Sequence, residues 1–115
     1  MKKLISLLIV CAFVFVGCGS PEVDPRTEEI AKCLGEKGAK MYGAVWCGHC
    51  NSQKKGFGDA WEYINYIECD PQTDKEGAIK CVEADLEGFP TWEFANGDRL
   101  LGRQNMEVLA EKAGC

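Results

Sequence analysis

Apolar and polar positions change period several times along this chain, and each change predicts an element. The first twenty residues, MKKLISLLIVCAFVFVGCGS, set Lys2 and Lys3 before an almost unbroken apolar run from Leu4 to Val16, and small residues follow. The next stretch, GSPEVDPRTEE, is polar, acidic and holds Pro21 and Pro25, so it reads as a tether running into a helix start. Ile30, Cys33 and Leu34 then recur at helical spacing until Gly35 and Gly38 end the pattern. AKMYGAVW, residues 39–46, is a largely apolar run of the buried-strand type, and CGHCNSQKK after it suits a helix.

Further on, YINYIECD (residues 63–70) alternates and is rich in β-formers, which predicts a second strand. Ile79, Val82 and Leu86 mark one face of a helix that Gly88 stops. TWEFANGDRLLG puts Asn96-Gly97 between two apolar segments, the strongest short-range hairpin signal. Met106, Leu109, Ala110 and Ala113 line a last amphipathic helix, with Asn105 as its N-cap and Gly114 as its stop. The predicted order is α, β, α, β, α, β, β, α, without internal repeat or low-complexity segment. It makes one α/β domain over residues 28–115, preceded by a tether at residues 18–27.

Composition changes this picture at the N-terminus. A helix over the thirteen residues from Leu4 to Val16 reaches about 20 Å, short of the roughly 30 Å hydrocarbon core, so residues 1–17 read as a removable export signal rather than a membrane span. Phe15-Val16-Gly17-Cys18 resembles the lipobox of bacterial lipoproteins, with phenylalanine in place of the commoner leucine. That resemblance implies lipidation of Cys18 and an exported, membrane-anchored lipoprotein facing the periplasm or the extracellular side. Ordinary signal cleavage, giving a soluble secreted protein, is the alternative. The chain has 13 basic and 18 acidic residues, a net charge of −5 at pH 7, and no basic cluster that would bind nucleic acid.

An oxidising compartment decides how the eight cysteines are read, because thiols there either pair or exchange. With residues 1–17, and Cys11 among them, removed as signal and Cys18 assigned to lipid, Cys33, Cys47, Cys50, Cys69, Cys81 and Cys115 remain. Cys69 ends a strand and Cys81 lies in the following helix, so a structural disulfide stapling the loop between them is the favoured reading; a second redox pair is the alternative. Cys33 and Cys115 pair by elimination. A zinc site of Cys47, Cys50, Cys69 and Cys81 is disfavoured, since the second pair lacks the close spacing of a zinc knuckle. No metal or cofactor is expected.

Cys47 and Cys50 sit at a strand-to-helix junction. A helix N-terminus carries about half a positive charge and free N–H groups, which stabilise a thiolate on Cys47 and make it the nucleophile. Cys50, one turn further in, is placed to attack a mixed disulfide formed at Cys47. His49 is the only histidine; an imidazolium beside Cys47 favours the thiolate and makes the disulfide more oxidising.

Taken together, helix, strand, CxxC at a helix start, helix, strand, helix, Gly88-Phe89-Pro90-Thr91, hairpin and helix resemble the thioredoxin fold, a central mixed β-sheet flanked by helices. Trp46-Cys47-Gly48-His49-Cys50 resembles the active-site motif of protein disulfide isomerase domains. MYGAVWCGHC, the later IEC and KCVEADLEGFPTWEF are similar to the thioredoxin-like domain fused to bacterial homologues of vitamin K epoxide reductase. The resemblance implies a monomeric thiol-disulfide oxidoreductase acting on protein thiols and disulfides, with a membrane redox partner of the vitamin K epoxide reductase kind or similar. It implies catalytic roles for Cys47, Cys50, His49 and a cis Pro90, and substrate contacts from Trp46, Gly48, Phe89 and Thr91. One departure stands out: the buried acid that thioredoxin and protein disulfide isomerase carry six positions before the nucleophile is here Met41, so no carboxylate is evident there to move the proton of Cys50. The rival reading is a non-catalytic binding or metallochaperone module that keeps the fold and uses the CxxC loop as a contact or metal site.

Overall fold

The computed structural model describes residues 23–115; the expected signal segment, residues 1–17, and Cys18 lie outside them. The elements are α1 (Pro25–Glu36), β1 (Lys40–Gly43), α2 (Gly48–Phe57), a 3-10 segment (Gly58–Tyr63), β2 (Asn65–Glu68), α3 (Lys75–Glu83), β3 (Thr91–Glu93), β4 (Arg99–Leu101) and α4 (Met106–Ala113). The order agrees with the one predicted, with the 3-10 segment added. The strands form one mixed sheet in the order β2-β1-β3-β4. β1 runs parallel to β2 and antiparallel to β3, and β3 and β4 make the hairpin around Asn96-Gly97. A four-stranded mixed sheet flanked by helices is the architecture expected of a thioredoxin-like domain.

The core lies where helical and strand periods turn the same residues inward. Ile30 and Leu34 of α1, Met41 of β1, Phe57 of α2, Trp92 of β3 and Leu109 of α4 are all essentially inaccessible. Pro25 occupies the first turn of α1, where its missing N–H costs no helical hydrogen bond, so the helix starts inside the stretch read as tether. Asn105 caps α4 by accepting the Glu107 N–H at 2.9 Å, and Gly114 ends it. Arg26 reaches from α1 to Glu107 with two bonds of 3.1 Å, and the Cys33–Cys115 disulfide closes the ends of the same two helices.

Three expectations need correction. β1 ends at Gly43, not at Trp46, because the chain leaves the sheet there: the Gly43 carbonyl accepts the Cys69 N–H at 2.8 Å, and the Glu68 carboxylate takes the Val45 N–H at 3.1 Å. β2 is shorter than residues 63–70, since Tyr63 belongs to the 3-10 segment. The inward face of α3 is not the Ile79–Val82–Leu86 stripe; Ile79 is 58% and Val82 81% exposed, and the helix stops at Glu83. Gly77 and Cys81 face inward instead. A side chain at Gly77 would run into the Glu68 carbonyl, and Cys81 is bonded to Cys69, so close approach rather than apolar area sets this helix on β2.

The Cys33–Cys115 bond spans 82 residues, nearly the whole described chain. A closed loop of that size is worth about 4 kcal/mol in the chain-entropy model. Replacing both cysteines by serine should therefore lower the thermal midpoint by about 15 °C or more. A calorimetric midpoint within 2 °C or so of wild type would contradict this.

Candidate active site

Four residues, Ala44 to Cys47, carry the chain from β1 into α2. Cys47 is the N-cap of α2: its backbone is extended, and its Sγ accepts the Cys50 N–H at 3.2 Å. A thiol thus takes the place that serine or aspartate usually fills, directly against the unpaired N–H groups of the first turn. The side chains of Cys47 and Cys50 are free thiols, and both residues are buried, Cys50 completely and Cys47 at 8% exposure. Gly48 and His49 between them are exposed.

The two sulfurs differ in environment as well as access. Burial is the largest influence raising the pKa of the Cys50 thiol to about 12; its interaction with Cys47 adds to that, while a backbone bond at Ala44 and the charge of Lys54 pull the other way. At neutral pH Cys50 is therefore a protonated thiol while the protein is reduced.

The loop facing this helix start is Gly88–Thr91, in which the Phe89–Pro90 peptide bond is cis. Pro90 is fully buried and its carbonyl accepts the Gly102 N–H at 2.7 Å. Thr91, expected among the substrate contacts, is buried, and its hydroxyl donates to the Gly88 carbonyl at 2.7 Å, so it shapes the loop from within. Trp46 is 67% exposed and meets Phe89 edge-on at 5.8 Å. That aromatic pair joins the CxxC turn to the cis-proline loop. Phe89 also borders an apolar groove of about 970 Å³ that runs along α3 past Ile79, Val82 and Leu86.

The structure pairs Cys69 with Cys81, which removes two of the four thiols a zinc site would need. Among the described residues, no group of three or more His, Cys, Asp or Glu is arranged to hold a metal ion.

Other residues at the site were not singled out from the sequence. Gln53, one turn below Cys50, is 1% exposed; its Oε1 accepts from Trp92 Nε1 at 3.2 Å and from the Gln104 N–H at 2.7 Å, and its Nε2 donates to the Gln104 carbonyl at 3.1 Å. It ties α2 to β3 and to the turn before α4. Glu68 and Tyr66 of β2 lie on the same face as Gly43 of β1, and Lys54 lies 3.9 Å over the Tyr66 ring. Period-2 alternation finds the strand, but a glutamate and a tyrosine in it read as its wet face.

No protein-family model matches the chain. It is 44% identical over 99 residues to a curated relative, the thiol-disulfide oxidoreductase LTO1 of Arabidopsis thaliana. The alignment covers 83% of this chain and 26% of that protein, so the chain spans about a quarter of its relative's length.

Access and protonation together predict the labelling pattern of the native, reduced protein. Iodoacetamide at pH 7 should modify Cys47 alone, with Cys50 reacting only after denaturation; peptide mass mapping that finds both labelled at equal rates would contradict the assignment.

Proposed function

We propose that this protein is an extracytoplasmic thiol-disulfide oxidoreductase that exchanges disulfides with protein substrates through Cys47-Gly48-His49-Cys50. The observation that carries the reading is the N-cap thiol: Cys47 meets the positive end of α2, with a second free thiol one turn behind it. The name of the aligned relative agrees with it. Cys47 attacks a substrate disulfide, and Cys50 then displaces the substrate from the mixed disulfide. Trp46, Gly48 and Phe89 form the rim that receives the polypeptide. The Pro90 carbonyl is engaged by Gly102, which leaves the Phe89 side of the loop for pairing with an extended substrate. His49 is exposed on the same turn, beside the nucleophile. The Cys69–Cys81 disulfide holds α3 and its apolar groove beside the rim.

Cys18 anchors the protein by lipid on the outer side of a membrane, next to a redox partner of the vitamin K epoxide reductase kind that resets Cys47 and Cys50. The name of the aligned relative does not favour the metallochaperone alternative.

Cysteine variants give the direct test. Cys50→Ala should stall after attack and accumulate mixed disulfides that survive boiling without reductant and vanish with it, while Cys47→Ala traps far less. Trapping by Cys47→Ala instead would reverse the roles, and trapping by neither variant would remove the exchange mechanism. For the anchor, intact mass of the membrane-extracted protein should report an acylated N-terminus at Cys18; an unmodified N-terminus at another residue would sink that part of the reading.

A further inference from the structure

Cys50 must lose its proton to resolve a mixed disulfide, yet its thiol is fully buried and the position six before the nucleophile is Met41, itself inaccessible. The strand pairing shows what lies there instead. Met41 is in register with Tyr66 and Gly43 with Glu68, so all four residues belong to one face of the β1–β2 pair. Gly43 leaves that face open: a Cβ on it would fall 3.0 Å from Cys50 Sγ, 3.0 Å from Tyr66 Cε2 and 3.2 Å from the Tyr66 hydroxyl. The thiol and the phenol therefore face the same small gap. The Tyr66 hydroxyl donates to Glu68 Oε2 at 2.7 Å. Glu68 is 8% exposed, and its Oε1 accepts the N–H groups of Val45 at 3.1 Å and Asp70 at 3.0 Å.

Resting on the exchange reading above, we propose that Tyr66 and Glu68 are the proton path of Cys50, Tyr66 as the group that meets the thiol and Glu68 as the carboxylate that positions Tyr66 and receives the proton through it. In the resolving step a bond forms between Cys50 Sγ and Cys47 Sγ. The bond from Cys47 Sγ to the substrate sulfur breaks, and its electron pair leaves with the substrate as a thiolate. The Cys50 proton passes to the Tyr66 oxygen, directly or through one water, as the Tyr66 proton passes to Glu68. Glu68, now a neutral acid, returns the proton to solvent. When the enzyme oxidises a substrate's thiols the same residues run in reverse and reprotonate Cys50 as it departs.

The rest of the surroundings fit this role. The titratable and charged groups facing the pair are Cys47 and Lys54 from α2 and Glu68 from β2, while β1 presents Met41 and Gly43, neither of which titrates, and the turn after it presents the backbone of Ala44. Burial, then the bond to Glu68, then the nearby thiols hold the Tyr66 phenol well above the ordinary tyrosine range, so it stays a neutral donor. The carboxylate is also fixed to the backbone that leads into Cys47, so proton acceptor and nucleophile are held by one set of bonds.

Ellman's reagent separates the two steps on the reduced full-length protein, because attack by Cys47 releases one coloured thiolate and resolution by Cys50 releases a second. Tyr66→Phe and Glu68→Gln, each made alone, should slow the second release about tenfold or more at pH 7. They should leave the first within about twofold. In both variants the second rate should climb close to tenfold per pH unit from pH 6 to 9, as hydroxide takes over from the lost base, where wild type is flatter. Tyr63→Phe, a tyrosine away from the thiols, should change neither phase. A second phase of wild-type rate and pH profile in both variants would overturn the proposal, as would equal slowing of both phases, which marks a structural role. A wild-type protein that releases no second thiolate would defeat the exchange reading itself, whatever Tyr66 does.

Discussion

The site depends on where the chain leaves the sheet. β1 stops at Gly43, and within four residues the backbone must reverse from a central strand into the first turn of α2. The Glu68 carboxylate holds this crossing by taking the Val45 N–H, and the Gly43 carbonyl is taken by Cys69. Buried backbone groups that leave a ladder need partners, and here β2 supplies them. Cys47 lands as the cap of α2 because of that crossing, and the half charge at the helix end acts on a sulfur atom for the same reason.

Polar groups inside this small domain are few and all engaged. Gln53 joins three elements with three hydrogen bonds, and among the described residues no buried side-chain nitrogen or oxygen lacks a partner. A fully satisfied network of this kind fixes side-chain positions, whereas an apolar contact in its place would fix area alone. The consequence for the site is a rigid floor beneath Cys50, formed by Gln53 on α2 and by Tyr66 and Glu68 on β2. The exposed Trp46 and the half-buried Phe89 form a more accessible rim above it. The two disulfides brace this arrangement from outside, one across α1 and α4 and one between β2 and α3.

Much of this was legible in the sequence because it rests on periodicity and punctuation. Leu109 and Ala110 repeat at helical spacing, Asn96-Gly97 marks a hairpin, and Cys47 follows an apolar run at the point where the period changes. What stayed hidden has no period of its own. The 3-10 segment Gly58–Tyr63 is held by local bonds that leave no hydrophobic stripe. The inward face of α3 is invisible to hydropathy because it is built from Gly77 and a disulfide-bonded Cys81, and hydropathy counts area, which glycine lacks. Glu68 and Tyr66 carry no signal for a related reason: a carboxylate in a short strand is normally solvated, and only the absence of a side chain at Gly43 lets a phenol and a thiol approach from two elements.

The central claim is that Cys47 and Cys50 form a redox couple rather than a third structural bridge. The most direct measurement is the reduction potential of that pair, taken by equilibrating the folded protein with graded glutathione buffers and following each cysteine by differential alkylation. The account predicts a reversible two-electron transition of Cys47 and Cys50 alone, between about −270 and −120 mV, the span of dedicated exchange proteins. Cys69–Cys81 and Cys33–Cys115 should stay oxidised throughout. A Cys47–Cys50 potential below about −300 mV, in the range of structural disulfides, or a pair that does not cycle at all, would contradict it.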